Sequence, residues 1–362
     1  MFNRDRSVSH VTARLPGVHI GITGGNGFIG GYVAEEVHRR GHRPVILDRR
    51  GVYSEANKDL FLADQCDVFV GDVLDPVAMV ELSAHVDGVI HLAAALGTQE
   101  TIRNPRPAAE INILGGLNWL EGLAQYSIPG VYIGVGNHWM QNSYSISKTT
   151  IERFVQMFNA ERGTRVNIVR VVNAYGPRQS VAPPYGPAKV RKITPSFVCR
   201  ALTGTPIEIY GDGKQVSDMV SVRDVASALV TALEKAMAGV VFDRVVEVGP
   251  AQERSMTVNQ IATEVIRAAV EIGYPEVGIE HLPMRPGEIP GSRVSADTST
   301  LALVDMSPEQ LIPFRTGIAQ TVAWYAEHWL PDWELAQFDL TSAQAHVCTD
   351  DCTPGNCARK DF

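Results

Sequence analysis

The run Val18-His19-Ile20-Gly21-Ile22 leads straight into Thr23-Gly24-Gly25-Asn26-Gly27-Phe28-Ile29-Gly30, and apolar residues then recur at Ile29, Val33 and Val37. A β-rich stretch, a glycine turn and a helical period, in that order, leave few folds open to the chain. Glycines let the backbone approach another group closely. The first N–H groups of the helix beyond the turn have no partner within it, so an anion is favoured at that end. The helix is predicted to open between Gly27 and Gly30 and to stop at Gly41, a glycine just past its end.

Further β-rich runs occur at Pro44–Leu47, Val68–Val70, Val89–His91, Val131–Ile133 and Val166–Val171. Helical patterns lie between them, one near Asn112 and one from near Tyr144 to about Gly163. This alternation predicts an α/β fold, a Rossmann-type doubly wound parallel sheet with helices on both faces. Past Ala174, Pro177, Pro183, Pro184, Pro187 and Pro195 break the pattern before shorter elements resume, which suggests a smaller C-terminal lobe. The expected organisation is an N-terminal extension over 1–17, a dinucleotide-binding domain over 18–180 with later segments returning to it, a mainly substrate-binding lobe over 181–335, and a loose tail over 340–362.

With 362 residues, 45% of them hydrophobic, the chain can bury a full core. Its net charge of -8 has no basic block to offset it, which argues against nucleic acid or an anionic membrane as partner. No apolar run approaches the roughly 20 residues that a bilayer demands, and Met1–Gly17 is polar without an apolar signal core, so the cytoplasm is the expected location. Cys66 and Cys199 sit among apolar residues and read as reduced core thiols. His346, Cys348, Cys352 and Cys357 are four potential zinc ligands in the tail, but they lack paired C-x-x-C spacing, and no metal is expected.

The glycine turn acquires its meaning from residues further along the chain. Gly24, Gly27 and Gly30 depart from the usual G-x-G-x-x-G spacing, yet the strand–turn–helix context suits a dinucleotide pyrophosphate. Asp48 closes the second β-run, where an acid accepts hydrogen bonds from adenosine ribose hydroxyls. An acid there repels a 2′-phosphate, which favours NAD over NADP. The adjacent Arg49 and Arg50 argue the other way, with less weight. Asp72 and Val73 come after the third run, where an adenine is held, and Leu92, Ala93 and Ala94 end the fourth in small residues that permit close backbone approach.

Tyr144 and Lys148 stand one helical turn apart on one face. A free tyrosine, with a pKa near 10, is about 0.1% ionised at neutral pH, so a nearby cation must favour the phenolate if it is to act as a base. Lys148 and an oxidised nicotinamide both offer that charge. The implied chemistry is removal of a hydroxyl proton by Tyr144 while hydride leaves the same carbon.

With these motifs in place, the chain resembles an extended short-chain dehydrogenase/reductase of the nucleotide-sugar epimerase and dehydratase group, over roughly Val18 to Glu327. The resemblance rests on the glycine turn, Gly71-Asp72-Val73, His91-Leu-Ala-Ala94, Asn112, Tyr144 with Lys148, and Arg170-Val-Val-Asn173-Ala-Tyr-Gly-Pro-Arg178. Tyr210-Gly-Asp-Gly-Lys-Gln215, Val222-Arg-Asp-Val225 and Arg285-Pro-Gly-Glu288 come next in the expected order. It implies that Phe28, Ile29, Asp48, Asp72, Val73, Leu92, Ala93, Tyr144, Lys148 and Val172 line NAD. It also implies that Asn173, Arg178 and Arg285 face the nucleotide and diphosphate of a sugar substrate, and that the protein is a homodimer through the helices near Asn112 and Tyr144.

The sequence departs from that group in two places. The fifth strand usually leads to a Ser or Thr and a long loop before the tyrosine, whereas here Gly134-Val-Gly-Asn-His-Trp-Met-Gln-Asn-Ser143 intervenes. Either Asn137 or His138 can supply the missing hydrogen bond, and His138 can also move a proton; both residues equally suit a plain turn. Ser143 is placed to cap the next helix. The Thr-Asp-Glu run of a 4,6-dehydratase is absent. The arginine usual after Gln215 is replaced by Ser217, a loss of charge that Lys189, Arg191 and Lys192 can offset. Lys192 can alternatively serve as an acid. The leading expectation is an NAD-dependent nucleotide-sugar epimerase. A dehydratase or dehydrogenase of the same family is the first alternative, and a dinucleotide-binding protein without catalysis is the second.

Overall fold

The computed structural model describes residues 17–49, 65–250 and 252–337. Arg50 and the His346, Cys348, Cys352 and Cys357 tail lie outside the described residues, as do positions 1–16. Two compact units are formed. Of the described residues, the first holds those up to Ala174 together with Asp218–Ser255 and Val294–Leu311, and the second holds Tyr175–Ser217, Met256–Arg293 and those from Ile312.

The first unit is built on seven parallel strands: β1 (His19–Thr23), β2 (Arg43–Asp48), β3 (Asp67–Val70), β4 (Gly88–His91), β5 (Gly130–Val135), β6 (Val166–Val171) and β7 (Val246–Val248). Their order across the sheet is β7-β6-β5-β4-β1-β2-β3, the expected doubly wound arrangement. Strands β1, β2, β4 and β5 are buried almost throughout, which is why they read as continuous apolar runs rather than as alternating ones. Register brings Thr23 beside both Leu47 and His91, Asp48 beside Val70, and Val135 beside Val171. The residues singled out for cofactor binding therefore gather at the carboxyl ends of the strands, around the reversal of strand order between β1 and β4.

Helix α1 (Phe28–Arg39) comes after β1, buries Val33 and Val37 in the core, and leaves Ile29 partly exposed. It ends before Gly41, whose φ of 86° only glycine adopts cheaply. Helix α2 (Pro76–Ala84) is capped by Asp75 and begins on proline, a favourable first position. Near Asn112 the helical pattern is a π-helical turn, Ala108–Leu114, that runs on into α3 (Gly115–Tyr126). Helix α4 (Ser143–Arg162) carries the tyrosine and lysine, and α5 (Val222–Met237) lies in the same unit. The cap of α4 is Asn142 rather than Ser143, a correction of the sequence-based expectation; it accepts from the Ser145 N–H at 2.9 Å. Asparagine's oxygen reaches that donor from an extended backbone, and Ser143 becomes the first helical residue.

In the second unit, helices Ile193–Leu202, Val258–Glu271 and Phe314–Trp324 accompany a parallel pair of strands, Ile207–Tyr210 with Ile279–Leu282. Tyr185 packs its ring against Trp329 and Trp333. Among the described residues no helix is long and apolar enough to cross a membrane.

Gly30 shows how tightly the turn is packed. A Cβ there would lie 2.6 Å from the Gly25 Cα and overlap the Gly24 carbonyl as well. Gly30→Ala is expected to cost about 1–3 kcal/mol, read as a fall in the urea midpoint at unchanged slope.

Candidate active site

The glycine turn presents backbone, not side chains. Gly24 has a φ of 72°, and a Cβ on it would stand 2.9 Å from the Ala93 nitrogen. Gly27 is the N-cap of α1 and contributes no side-chain hydrogen bond to it, so this end meets an anion with backbone N–H groups. Thr23 fastens the turn to β4. Its Oγ1 accepts from the N–H groups of Leu92 at 3.2 Å and Ala93 at 3.3 Å, and shares a 2.8 Å hydrogen bond with His91 Nδ1. These features form a cradle that a pyrophosphate fits and a larger residue would fill.

Asp48 stands at the end of β2, where one oxygen accepts from the Asn26 N–H at 2.9 Å and the other from the Arg49 N–H at 2.7 Å. Burial raises its carboxyl above the usual range against the pull of those bonds. Arg49 itself is exposed. Asp72 accepts from the Leu74 N–H at 3.0 Å and so shapes the turn that presents Val73. Asn118 holds the Val73 carbonyl at 2.9 Å. Asn112 is a strut: its Oδ1 accepts from the Ala95 N–H at 2.7 Å, and its Nδ2 donates to Ser147 Oγ at 2.9 Å. It ties the stretch after β4, with Leu92, Ala93 and Ala94, to helix α4. Val172 comes directly after β6, and its side chain lies 2.8 Å from where a Cβ on Gly136 would stand.

Tyr144 and Lys148 do share a face of α4, but their electrostatics reverse the simple expectation. Burial pushes the Tyr144 phenol up to about 12, and no lowering by Lys148 offsets it. Burial likewise pulls Lys148 down to about 7, with Glu152 acting in the opposite sense. Desolvation disfavours the charged form of either group, and here it sets the direction of both shifts. The chain alone therefore holds the phenol neutral and leaves the lysine half protonated near pH 7. His91, also buried, falls to about 3 and stays neutral, with Lys148 adding to the effect.

The bridge from β5 to α4 runs from Gly136 to Asn142. Gly136 N–H donates to the Val171 carbonyl at 2.9 Å, which starts the bridge beside the end of β6. Asn137 Nδ2 donates to Met140 Sδ at 3.6 Å, so this amide is part of the turn. His138 Nδ1 is buried without a hydrogen-bond partner.

Arg178, Lys189, Lys192 and Arg285 belong to the second unit, and Asn173 to the first. Arg178 is buried and holds a φ of 68°, an uncommon conformation for arginine. Arg285 pairs with Glu288 and lies 4.5 Å from the ring centre of Tyr210. Lys189 is exposed, and Lys192 is the N-cap of Ile193–Leu202. The expected replacement of the Ser217 charge is corrected in one member of the cluster. Arg191 is engaged by Glu208 at 2.7 Å and by the Tyr210 hydroxyl at 2.9 Å, and Glu208 also pairs with Arg200. No group of three or more His, Cys, Asp or Glu able to hold a metal occurs among the described residues.

The model of the NAD dependent epimerase/dehydratase family matches residues 20–249. The chain belongs to this family. A UDP-N-acetyl-alpha-D-glucosaminuronate decarboxylase from Bacillus cytotoxicus is 27% identical over 84% of the chain and 97% of its own length. A dTDP-glucose 4,6-dehydratase from Xanthomonas campestris pv. campestris is 30% identical over 84% and 92%. The structure of Thermus thermophilus UDP-glucose 4-epimerase in complex with NAD superposes with a TM-score of 0.71 at 26% identity, covering 85% of this chain and 98% of that one. The chain is thus an NAD-dependent enzyme of the extended short-chain dehydrogenase/reductase type, in a group that epimerises, dehydrates or decarboxylates nucleotide sugars.

The depressed lysine makes a stability test. Below about pH 7 the native protein must carry a buried ammonium, whereas between pH 7 and the unfolded value near 10.4 only the unfolded chain binds the proton. Stability of the cofactor-free protein is therefore expected to gain a contribution across that window as pH rises. Urea unfolding of wild type and Lys148→Met at pH 7, 8.5 and 10 checks this. The stability of wild type should rise relative to that of Lys148→Met as pH rises, and a constant difference contradicts the depressed lysine.

Proposed function

We propose that this protein is an NAD-dependent nucleotide-sugar epimerase that transiently oxidises a ring hydroxyl, with Tyr144 as the group that takes and returns the hydroxyl proton. The observation that carries the reading is the Tyr144–Lys148 pair on α4, in the same unit as the glycine cradle and Asp48. NAD, when bound, accepts the hydride of the oxidation and gives it back. Phe28 and Ile29, at the start of α1, would meet its pyrophosphate with backbone N–H groups, and Gly24, Gly27 and Gly30 would allow the close approach. Asp48 would take the ribose hydroxyls, with Arg49 at the rim, and Asp72 and Val73 would take the adenine. Leu92, Ala93, Ala94 and Val172 would line the remainder, with Asn112 keeping the stretch after β4 in place.

The elevated phenol gives Lys148 its task. A base at about 12 needs a stabilising positive charge before it can remove a proton at neutral pH, and an ammonium one helical turn away supplies one. Epimerisation is favoured over dehydration because the bridge before Tyr144 carries no carboxylic acid: between Gly136 and Asn142 the polar side chains are amides, an indole and an imidazole. Removing water from an oxidised sugar requires a further acid to protonate the departing hydroxyl, whereas returning the hydride to the opposite face requires only the proton that Tyr144 gives back to the oxygen. His138 is our candidate for the hydrogen bond to the reacting hydroxyl, since Asn137 is engaged by Met140. Asn173, Arg178, Lys189, Lys192 and Arg285 are assigned to the nucleotide and diphosphate, with Arg285 exchanging Glu288 for phosphate. Homodimerisation through α3 and α4 is supported by Ile146 and Met157, left exposed on α4, and by Leu114 just before α3.

Tyr144→Phe is expected to lower turnover by about 10²–10⁴-fold, the usual worth of a positioned acid–base group, while NAD affinity holds. Incubation of wild type with NAD and UDP-, GDP-, dTDP- and CDP-sugars in deuterated water, read by NMR, tests the reaction itself. Inversion at one carbon without deuterium uptake is expected. Deuterium at a carbon beside the oxidised centre, or loss of water, contradicts simple hydride return.

A further inference from the structure

An aromatic surface stands under the lysine. Lys148 is 2% exposed, and its Nζ lies 4.3 Å from the ring centre of Tyr132, on β5. Among the described residues no carboxylate stands within ion-pair distance of that ammonium. Glu152, one turn further along α4, has both oxygens on Arg170, at 3.1 and 2.6 Å, and Arg170 reaches on to Glu247 at 3.2 Å. The Tyr132 hydroxyl donates to the Lys148 carbonyl at 3.2 Å, so one side chain grips both the head and the backbone of the lysine.

The ring is itself fixed from behind. Tyr132 stacks on His91 with centres 6.0 Å apart and planes 19° apart, and Trp119 packs against both, 4.9 Å from His91 and 6.0 Å from Tyr132. All three side chains are buried. His91 in turn bonds Thr23 Oγ1, at the first residue of the glycine turn. A continuous train of contacts thus runs from Thr23 through His91 and Tyr132 to Lys148.

We propose that Tyr132 is a positioning residue: its ring face holds Lys148 as an ammonium one helical turn from Tyr144, and the His91–Trp119–Tyr132 stack fixes that ring against the glycine turn. The inference deepens the reading of Tyr144 and Lys148 as the reacting pair and rests on it. A cation over a desolvated aromatic face is attracted by the ring quadrupole, and that attraction survives where water has been removed. Of the other groups that face Lys148, Glu152 also favours the ammonium but has both oxygens engaged by Arg170, while His91 and Tyr144 are neutral.

The test changes the electronics of the ring while keeping its volume. Protein labelled with [ε-13C]lysine is titrated by NMR without cofactor, and the Lys148 resonance is assigned by its loss in Lys148→Met. Position 132 carries tyrosine, phenylalanine, 4-fluorophenylalanine or 3,4,5-trifluorophenylalanine. Tyr132→Phe should leave the Lys148 midpoint within a few tenths of a unit of wild type, because the ring face remains. Successive fluorination should lower it stepwise, by about one unit in all, and the alkaline limb of the turnover profile should move with it. An unchanged midpoint across the fluorinated series overturns the proposal. A midpoint that moves while the alkaline limb stays fixed supports the hold of the ring on the ammonium and overturns the catalytic reading of Lys148 instead.

Discussion

The close contact between the glycine turn and the end of β4 is the constraint on which the rest of the first unit depends. Strand order reverses between β1 and β4, so the two halves of the sheet diverge from this seam. The seam is held by Thr23, whose hydroxyl serves two backbone N–H groups and an imidazole, and by Gly24, whose missing side chain lets the Ala93 backbone approach. Any side chain at Gly24 would separate the strands where the cofactor cradle opens. Helix α1 then leaves from an end that no side chain caps, and its first N–H groups face the cradle as donors for a bound anion.

Burial opposes charge everywhere along this edge of the sheet. It raises Asp48 and Tyr144, and it lowers Lys148 and His91. Only Asp48 receives two backbone donors in return. A dry edge strengthens every interaction made with a bound charge, and the same dryness disfavours the charged forms of the phenol and the lysine until one arrives. The chain therefore carries a phenol and a lysine that are separately reluctant to ionise and become mutually supporting once both are charged.

Much of this is legible in the sequence. The parallel sheet, the glycine turn, the helix after it and the Tyr144–Lys148 spacing come from short-range patterns, because each is written in residues a few positions apart. The family's motif order is legible for the same reason. The part that escapes such reading is long-range and electrostatic. Tyr132 and Trp119 look like core aromatics, and nothing local says that one of them lies under the ammonium of a residue 16 positions on. Asn112 matches a motif, but its hydrogen bonds to Ala95 and Ser147 need the fold. Arg191 reads as an available cation in the sequence, whereas in the fold Glu208 and Tyr210 occupy it.

The shortened bridge and the aromatic stack bear on each other. In seven residues the chain passes from β5, where Tyr132 sits, to α4, where Lys148 sits. A bridge this short leaves little slack between the strand that carries the ring and the helix that carries the cation. The hydrogen bond from the Tyr132 hydroxyl to the Lys148 carbonyl is a second tie across the same gap. A long loop would hold the helix only through packing, whereas here the lysine is tied to β5 through the ring face, the hydroxyl and the short covalent path. The absence of a serine or threonine from the bridge accompanies its shortness, and the helix that carries Lys148 is tied the more closely to β5.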